Sequence, residues 1–360
     1  MQTPLFAAHQ ALGARLAPFA GWDMPIQYTS IIAEHEHTRR ATSVFDICHM
    51  GEFELRGPTA RADLERLLTL PVATLAPGQC RYGYMLRDDG GVLDDLTCYR
   101  LGPDHFWLVV NAGTRAQDAA WIRQHLAPTT TFTDRSDETG KLDIQGPTAR
   151  VATERALGLR LPDLGYFRFA EIRLLGQPCL LSRTGYTGEF GYELYCPRNT
   201  VGLFWERLLG GGAIKPAGLG ARDTLRLEMG YALYGHELTL ERTPVGAAQG
   251  RYIQLAKDFI GQAAVAHELA HPHQRLVGLR LDARRAARAG DAVLAAGQPV
   301  GVVTSGSFAP SVGTAVAMAY IATAHTPAGH PLAVQNRGTL LPATVTALPF
   351  YTTGTAKRNF

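Results

Sequence analysis

ELRGPTARADLERLL at residues 54 to 68 comes back as DIQGPTARVATERAL at residues 143 to 157, with eight identities in fifteen positions at an offset of 89. Each copy reads as an extended stretch, a Gly-Pro turn and a helical run. Pro58 and Pro147 sit in the first turn, where a helix tolerates a missing N–H. Two copies at so long a period do not make a solenoid. They predict a duplicated half-domain of strand, helix and further strands, two of which pair about a pseudo-twofold axis.

Downstream of each copy lies a glycine turn running into a strand: GGVLDDL at 90 to 96 and GEFGYEL at 188 to 194. Aligning the turns sets Asp95 opposite Glu193 on equivalent strands, near the junction of the halves, where a ligand cleft is expected. The simpler alternative is two solvent-facing acids on half-buried strands. Helical patterns follow at Thr114 to Leu126, Thr200 to Leu209 and Gly220 to Met229, the last carrying Arg222, Asp223, Arg226 and Glu228. From about Arg275 short apolar runs separated by Gly, Pro and Ser take over, the pattern of a small barrel or sandwich. The boundary falls near His271-Pro272-His273, giving a region of residues 1–265 and an all-β domain of residues 272–351.

Composition narrows the function. The chain has 360 residues, 46% of them hydrophobic and 19% charged, enough apolar side chain to fill two or three domain cores and too much for a disordered chain. Thirty-eight glycines and 21 prolines imply many turns and so many short strands. A formal net charge of +3 gives no broad field for nucleic acid, so no nucleic-acid partner is expected. Five scattered cysteines without a C-x-x-C pair fit neither a disulfide framework nor a zinc ribbon and point to a reducing cytoplasm. No secretory signal pattern opens the chain, and the uncharged stretch Ala292 to Ala324 is broken by Pro299 and Pro310, so no membrane association is expected either.

One motif invites a metal. His267-Glu268-Leu269-Ala270-His271 has the H-E-x-x-H spacing of a zinc peptidase. Pro272 ends the helix at the second ligand and no third ligand follows, so no metal is expected. Gly218-Leu219-Gly220 is half of a dinucleotide fingerprint, and no phosphate loop or nucleophile elbow occurs.

Eleven ordered segments, among them FAGWDMPIQY (19 to 28), FDICHMGE (45 to 52), GGVLDDL (90 to 96), IQGPTA (144 to 149), SRTGYTGEFGYEL (182 to 194), GLGARDTLRLE (218 to 228) and TSGSFAPSVG (304 to 313), resemble the T-protein of the glycine cleavage system over essentially the whole chain. Cys48, Phe190 and Met229 depart from the pattern. The resemblance implies an α+β fold: two intertwined folate-binding lobes, internally duplicated and at least one ferredoxin-like, with a C-terminal jelly-roll-like all-β barrel. It implies an aminomethyltransferase that moves the one-carbon unit from the aminomethyl-lipoyl arm of the H-protein to tetrahydrofolate, giving 5,10-methylenetetrahydrofolate and ammonia. Its partners would be the lipoylated H-protein, with functional coupling to glycine decarboxylase and dihydrolipoyl dehydrogenase. The match begins within the first few residues with no transit peptide ahead of it, which again implies the cytoplasm.

By residue, Asp95 matches the essential aspartate and Glu193 the pterin-reading glutamate. Arg222 matches a folate contact, and Met50, Tyr82, Asn111 and Tyr231 match positions near the folate. The chemistry fits: a carboxylate near N10 eases charge development, and another accepts two adjacent pterin N–H donors. Asp94 is expected to serve its turn. The alternatives are a tetrahydrofolate-dependent demethylase of the same superfamily and the non-enzymatic folate-binding iron-sulfur assembly factor. The K-G-C-Y-x-G-Q-E stretch of the latter is absent.

Overall fold

Both copies of the repeat fold alike, for the same local reasons. In the computed structural model, which describes residues 1–358, strand Gly51–Arg56 leads into helix Ala60–Leu67, and strand Thr139–Gln145 into helix Ala149–Leu157. The first helix buries Ala60, Leu64 and Leu67 and the second Ala149, Thr153 and Leu157, a one-sided spacing that packs each against its own sheet. The turns between strand and helix require glycine. Gly57 has φ 137° and Gly146 φ 141°, and a Cβ would collide with the carbonyl oxygen of Thr129 in one case and Ala41 in the other.

The first lobe is an antiparallel sheet in the order Gln79–Leu86, Val92–Gly102, His105–Val110, Gly51–Arg56, Thr131–Asp134. Its last four strands, with helices Ala60–Leu67 and Arg115–His125 as crossovers, have ferredoxin-like order. The second lobe follows the same path through Phe169–Leu174, Gln177–Ser182, Gly191–Pro197 and Thr139–Gln145. There the duplication is interrupted. Strand Thr42–Asp46, from ahead of the first copy, pairs antiparallel with Thr139–Gln145 and displaces the second lobe's own Ile214–Pro216 to the edge. This inserted strand is what intertwines the lobes.

The C-terminal part is a closed six-stranded barrel in the order Gln274–Leu281, Thr314–Ala322, Gln298–Ala309, Ala292–Ala295, Pro331–Asn336, Thr339–Thr346, antiparallel throughout. Closure removes the exposed sheet edges that short strands would otherwise present. Ala292 to Ala324, long enough to span a bilayer, lies largely in these strands, and no helix among the described residues is long and apolar enough to cross a membrane. Beyond the barrel the chain returns to the second lobe, where Thr355 donates to Glu189 at 2.6 Å and accepts from the Phe190 backbone N–H at 2.8 Å.

Barrel and lobes are joined through the buried helix Leu219–Glu228. Its Arg226, 1% exposed, donates to Glu237 at 2.9 Å and to Ser305 of the barrel at 2.9 Å. Its Glu228 accepts from the Ser311 backbone N–H at 2.8 Å and pairs with Arg39 at 2.9 Å. Buried ions tied to three segments fix relative placement at a desolvation cost that their pairing offsets.

Candidate active site

A cavity of about 540 Å³ lies where the lobes, the hairpin of Arg15–Phe19 and Trp22–Gln27, and the start of helix Leu219–Glu228 meet. This is the usual size range of a small-molecule site. Six of the residues expected near the ligand line it: Met50, Tyr82, Asp95, Asn111, Glu193 and Arg222. Tyr231 does not. It stacks on Tyr186, which does line the cavity, with ring centroids 5.7 Å apart, and so backs the wall instead of forming it.

Asp95 projects from strand Val92–Gly102 and is held from two sides. Oδ2 accepts the Tyr82 hydroxyl at 2.8 Å, and Oδ1 accepts the Asn111 side-chain amide at 2.9 Å. The same amide donates to Asp94 Oδ1 at 2.8 Å, while the Asn111 backbone N–H donates to Asp94 Oδ2 at 2.9 Å. Asp94 therefore does not serve a turn. It sits in the strand, buried, and orients Asn111 against Asp95. Behind it lies Asp118, also buried. Burial first, then the neighbouring carboxylates, push Asp118 far toward its protonated form. Burial and the Asp94 charge raise Asp95 to about 7. The carboxyl at the cavity wall thus titrates near neutrality, as suits a group that meets charge and protons in a reaction.

Glu193 lies across the lobe junction on strand Gly191–Pro197. Burial opposes its ionisation, but the Lys141 charge, a hydrogen bond from Thr184 and the Arg222 charge outweigh it and hold the carboxyl below the usual range. Two carboxyls in one cavity are thus driven apart, one toward neutrality and one toward a fixed anion. Arg222 donates to the buried Asp143, directly opposite Glu193 in the strand register, and its guanidinium lies 4.9 Å from the Tyr186 ring centroid.

Asp95 and Glu193 share the cavity but are not equivalent in the duplication. The strand registers match Trp107 of the first lobe with Glu193, since Trp107 pairs with Glu54 as Glu193 pairs with Asp143. Counting through the next pair, Tyr99 with Trp107 and Ser182 with Glu193, matches Asp95 with Pro178. Two turns that look alike in sequence, Gly90-Gly91 and Gly188-Glu189, precede the second strand after the helix in one lobe and the third in the other.

Sequence reasoning missed Lys141, Tyr186, His49 and Thr184, all of which line the cavity. Lys141 and Asp143 had a readable signal: two charges at alternate positions of a strand whose seven residues are all buried. The H-E-x-x-H pair lies at the end of helix Gln262–Ala270. His271 caps its helix, exposed, Glu268 is hydrogen-bonded by Thr243, and no group of three metal-ligating side chains occurs among the described residues.

Comparison with known proteins follows this architecture. The GCVT N-terminal domain model matches residues 5–257, and the glycine cleavage T-protein C-terminal barrel domain model matches residues 274–352. The chain is 42% identical to the aminomethyltransferases of Symbiobacterium thermophilum and Moorella thermoacetica, over 97% of this chain and 97% of each relative. The crystal structure of the glycine cleavage system aminomethyltransferase T from Bartonella henselae superposes with a TM-score of 0.94 at 34% identity, covering 100% of this chain and 99% of that one.

Proposed function

The chain belongs to the glycine cleavage T-protein family and is an enzyme of the aminomethyltransferase type, and on that premise we propose that its cavity binds tetrahydrofolate and receives the one-carbon unit there. The observation that carries this reading is the pair of unlike carboxyls, Asp95 near neutrality and Glu193 a fixed anion, lining one cavity.

Glu193 accepts the 2-amino and N3–H donors of the pterin, which suits a carboxylate kept ionised inside a protein. The Met50 thioether and the Tyr82 and Tyr186 rings supply flat apolar walls. Asp95 stands by the amine N10 and Asn111 fixes its angle, while Arg222, steadied by Asp143, offers its remaining N–H groups to a folate oxygen. In the transfer the carbon exchanges its bonds to the lipoyl sulfur and the amine nitrogen for bonds to N5 and N10. The two protons lost from the folate nitrogens end on the departing thiol and ammonia. Asp95 as carboxylate stabilises the cationic character that develops at the carbon and receives the N10 proton for onward release.

The donor is the lipoylated H-protein, which couples the enzyme to glycine decarboxylase and dihydrolipoyl dehydrogenase. No metal enters this chemistry. We assign residues 1–265 to the folate-binding region and 272–351 to the barrel, and place the protein in the cytoplasm, where five buried free cysteines stay reduced. The test is incubation of purified protein with tetrahydrofolate and aminomethyl-loaded H-protein. Formation of 5,10-methylenetetrahydrofolate with release of ammonia is expected. Tight folate binding without product would move the reading to a demethylase or a binding-only role.

A further inference from the structure

The cavity holds a buried cation that the residue roles above leave unused. Lys141 is 1% exposed and lines the cavity from the middle of strand Thr139–Gln145. Its Nζ lies 3.5 Å from Glu193 Oε1, 3.7 Å from the Met50 sulfur and 4.8 Å from the Tyr195 ring centroid. An ammonium carries three donors, and N–H···O bonds normally span 2.7–3.2 Å. A long ion pair, a thioether and a ring face leave that donor capacity largely unspent.

The neighbouring acids do not absorb it. Glu52, the residue at the equivalent position in the first lobe, is buried with Oε1 lacking a partner among the described residues, and burial raises its carboxyl to about 8, so near neutral pH it is mostly uncharged. Asp143 is engaged by Arg222. Glu193 Oε2 is taken by Thr184, and Oε1 is the oxygen beside Lys141.

We propose that Lys141 is a specificity-determining residue that donates to the 4-oxo group of the pterin, so that the cavity selects 4-oxo over 4-amino pterins. The inference rests on the folate reading of the site. Along one pterin edge the 2-amino group, N3–H and the 4-oxo oxygen follow in order: two donors, then an acceptor. A carboxylate that takes the two donors leaves the acceptor facing whatever flanks it, and here the flanking group is an ammonium with donors free. A 4-amino ring presents a donor at that place and meets a cation, the repulsive half of a specificity device, and because its N3 carries no hydrogen it also loses one of the two donors to Glu193.

The test measures dissociation constants of tetrahydrofolate and its 4-amino-4-deoxy analogue for the full chain and for Lys141→Met, which keeps the length of the apolar stem. Wild type should favour tetrahydrofolate by about tenfold or more, the scale of a charge-assisted hydrogen bond. Lys141→Met should narrow that preference about tenfold, by weakening tetrahydrofolate and relieving the 4-amino ring, and Lys141→Gln, a neutral donor, should recover part of it, while the share that N3–H contributes through Glu193 survives in both. An unchanged ratio in a folded Lys141→Met protein would overturn the inference, leaving Lys141 only as a counter-ion of Glu193, which would weaken both ligands together. Should Lys141→Met not fold, equal wild-type affinity for the two ligands is by itself sufficient to refute it. If wild type binds neither, the folate reading is what fails.

Discussion

The duplication builds two clefts between the lobes, and only one carries the features of a reaction site. The second, about 620 Å³, is lined by the residues that the strand registers make equivalent to those of the first. Where the first has Asp95, Glu193 and Tyr82, the second has Pro178, Trp107 and Glu171. Its buried acid, Glu54, equivalent to Asp143, is spent on Arg56, Arg135 and His105 at 2.6 to 2.9 Å. Those partners outweigh burial and hold Glu54 below the usual carboxylate range. Neither the barrel nor the Arg15–Gln27 hairpin contributes a lining residue to this cleft among those described, whereas Phe19, Ala20 and Ile26 close over the first. One fold, used twice, thus yields one site and one surface groove. The chemistry resides in a few side chains and in what covers them.

The sharpest way to break this contrast is to exchange its decisive residue. Asp95→Asn should lower kcat by about 10²- to 10⁴-fold while changing tetrahydrofolate affinity less than about threefold, the range for loss of a proton-handling group. Adding Pro178→Asp to that variant should restore nothing. Recovery of turnover would show that the clefts are interchangeable.

Where the halves are truly equivalent, equal responses are expected. Gly57→Ala and Gly146→Ala should each destabilise by at least about 2 kcal/mol in denaturant titrations, because a Cβ meets backbone carbonyl oxygen in both turns. A large effect at one and none at the other would mean that the duplication is not maintained by the same constraint.

At the anchoring position the halves should diverge again. Glu193→Ala should weaken tetrahydrofolate binding about 10- to 100-fold with a smaller effect on kcat. Its counterpart Trp107→Ala should leave folate affinity within twofold, as read by calorimetry.

The smallest effect concerns pH. In the proposed reaction Asp95 acts as the carboxylate, and since its pKa is raised to about 7, kcat/KM should fall as pH drops through about 7. Asp94→Asn removes the like charge next to it and should move that limb to lower pH. An unshifted limb would assign the titration to another group.

How much of this was legible follows from what the sequence encodes locally. The Gly-Pro turns announce the duplication because backbone collision dictates glycine in both copies. The barrel announces itself by short apolar strands between turns. The insertion of Thr42–Asp46 into the second lobe was not legible, since a fully buried strand's composition says nothing of which neighbour it will pair with. Asp95 and Glu193 are legible as strand acids beside glycine turns, but their places in the duplication are not, because a glycine turn marks that a strand begins and not its place in the sheet order. The motif points to Tyr231, and only the stacking of Tyr186 over it shows which of the two forms the wall.

The proposed function puts folate in the Asp95 cleft with its pterin edge on Glu193 and leaves the Trp107 cleft empty. A crystal structure of the protein soaked with tetrahydrofolate tests it directly. Density for one ligand, with the 2-amino and N3 nitrogens within hydrogen-bond distance of Glu193 and the N10 side toward Asp95, is the predicted result. Ordered folate in the groove of Trp107 and Pro178, or a pterin turned away from Glu193, would contradict it.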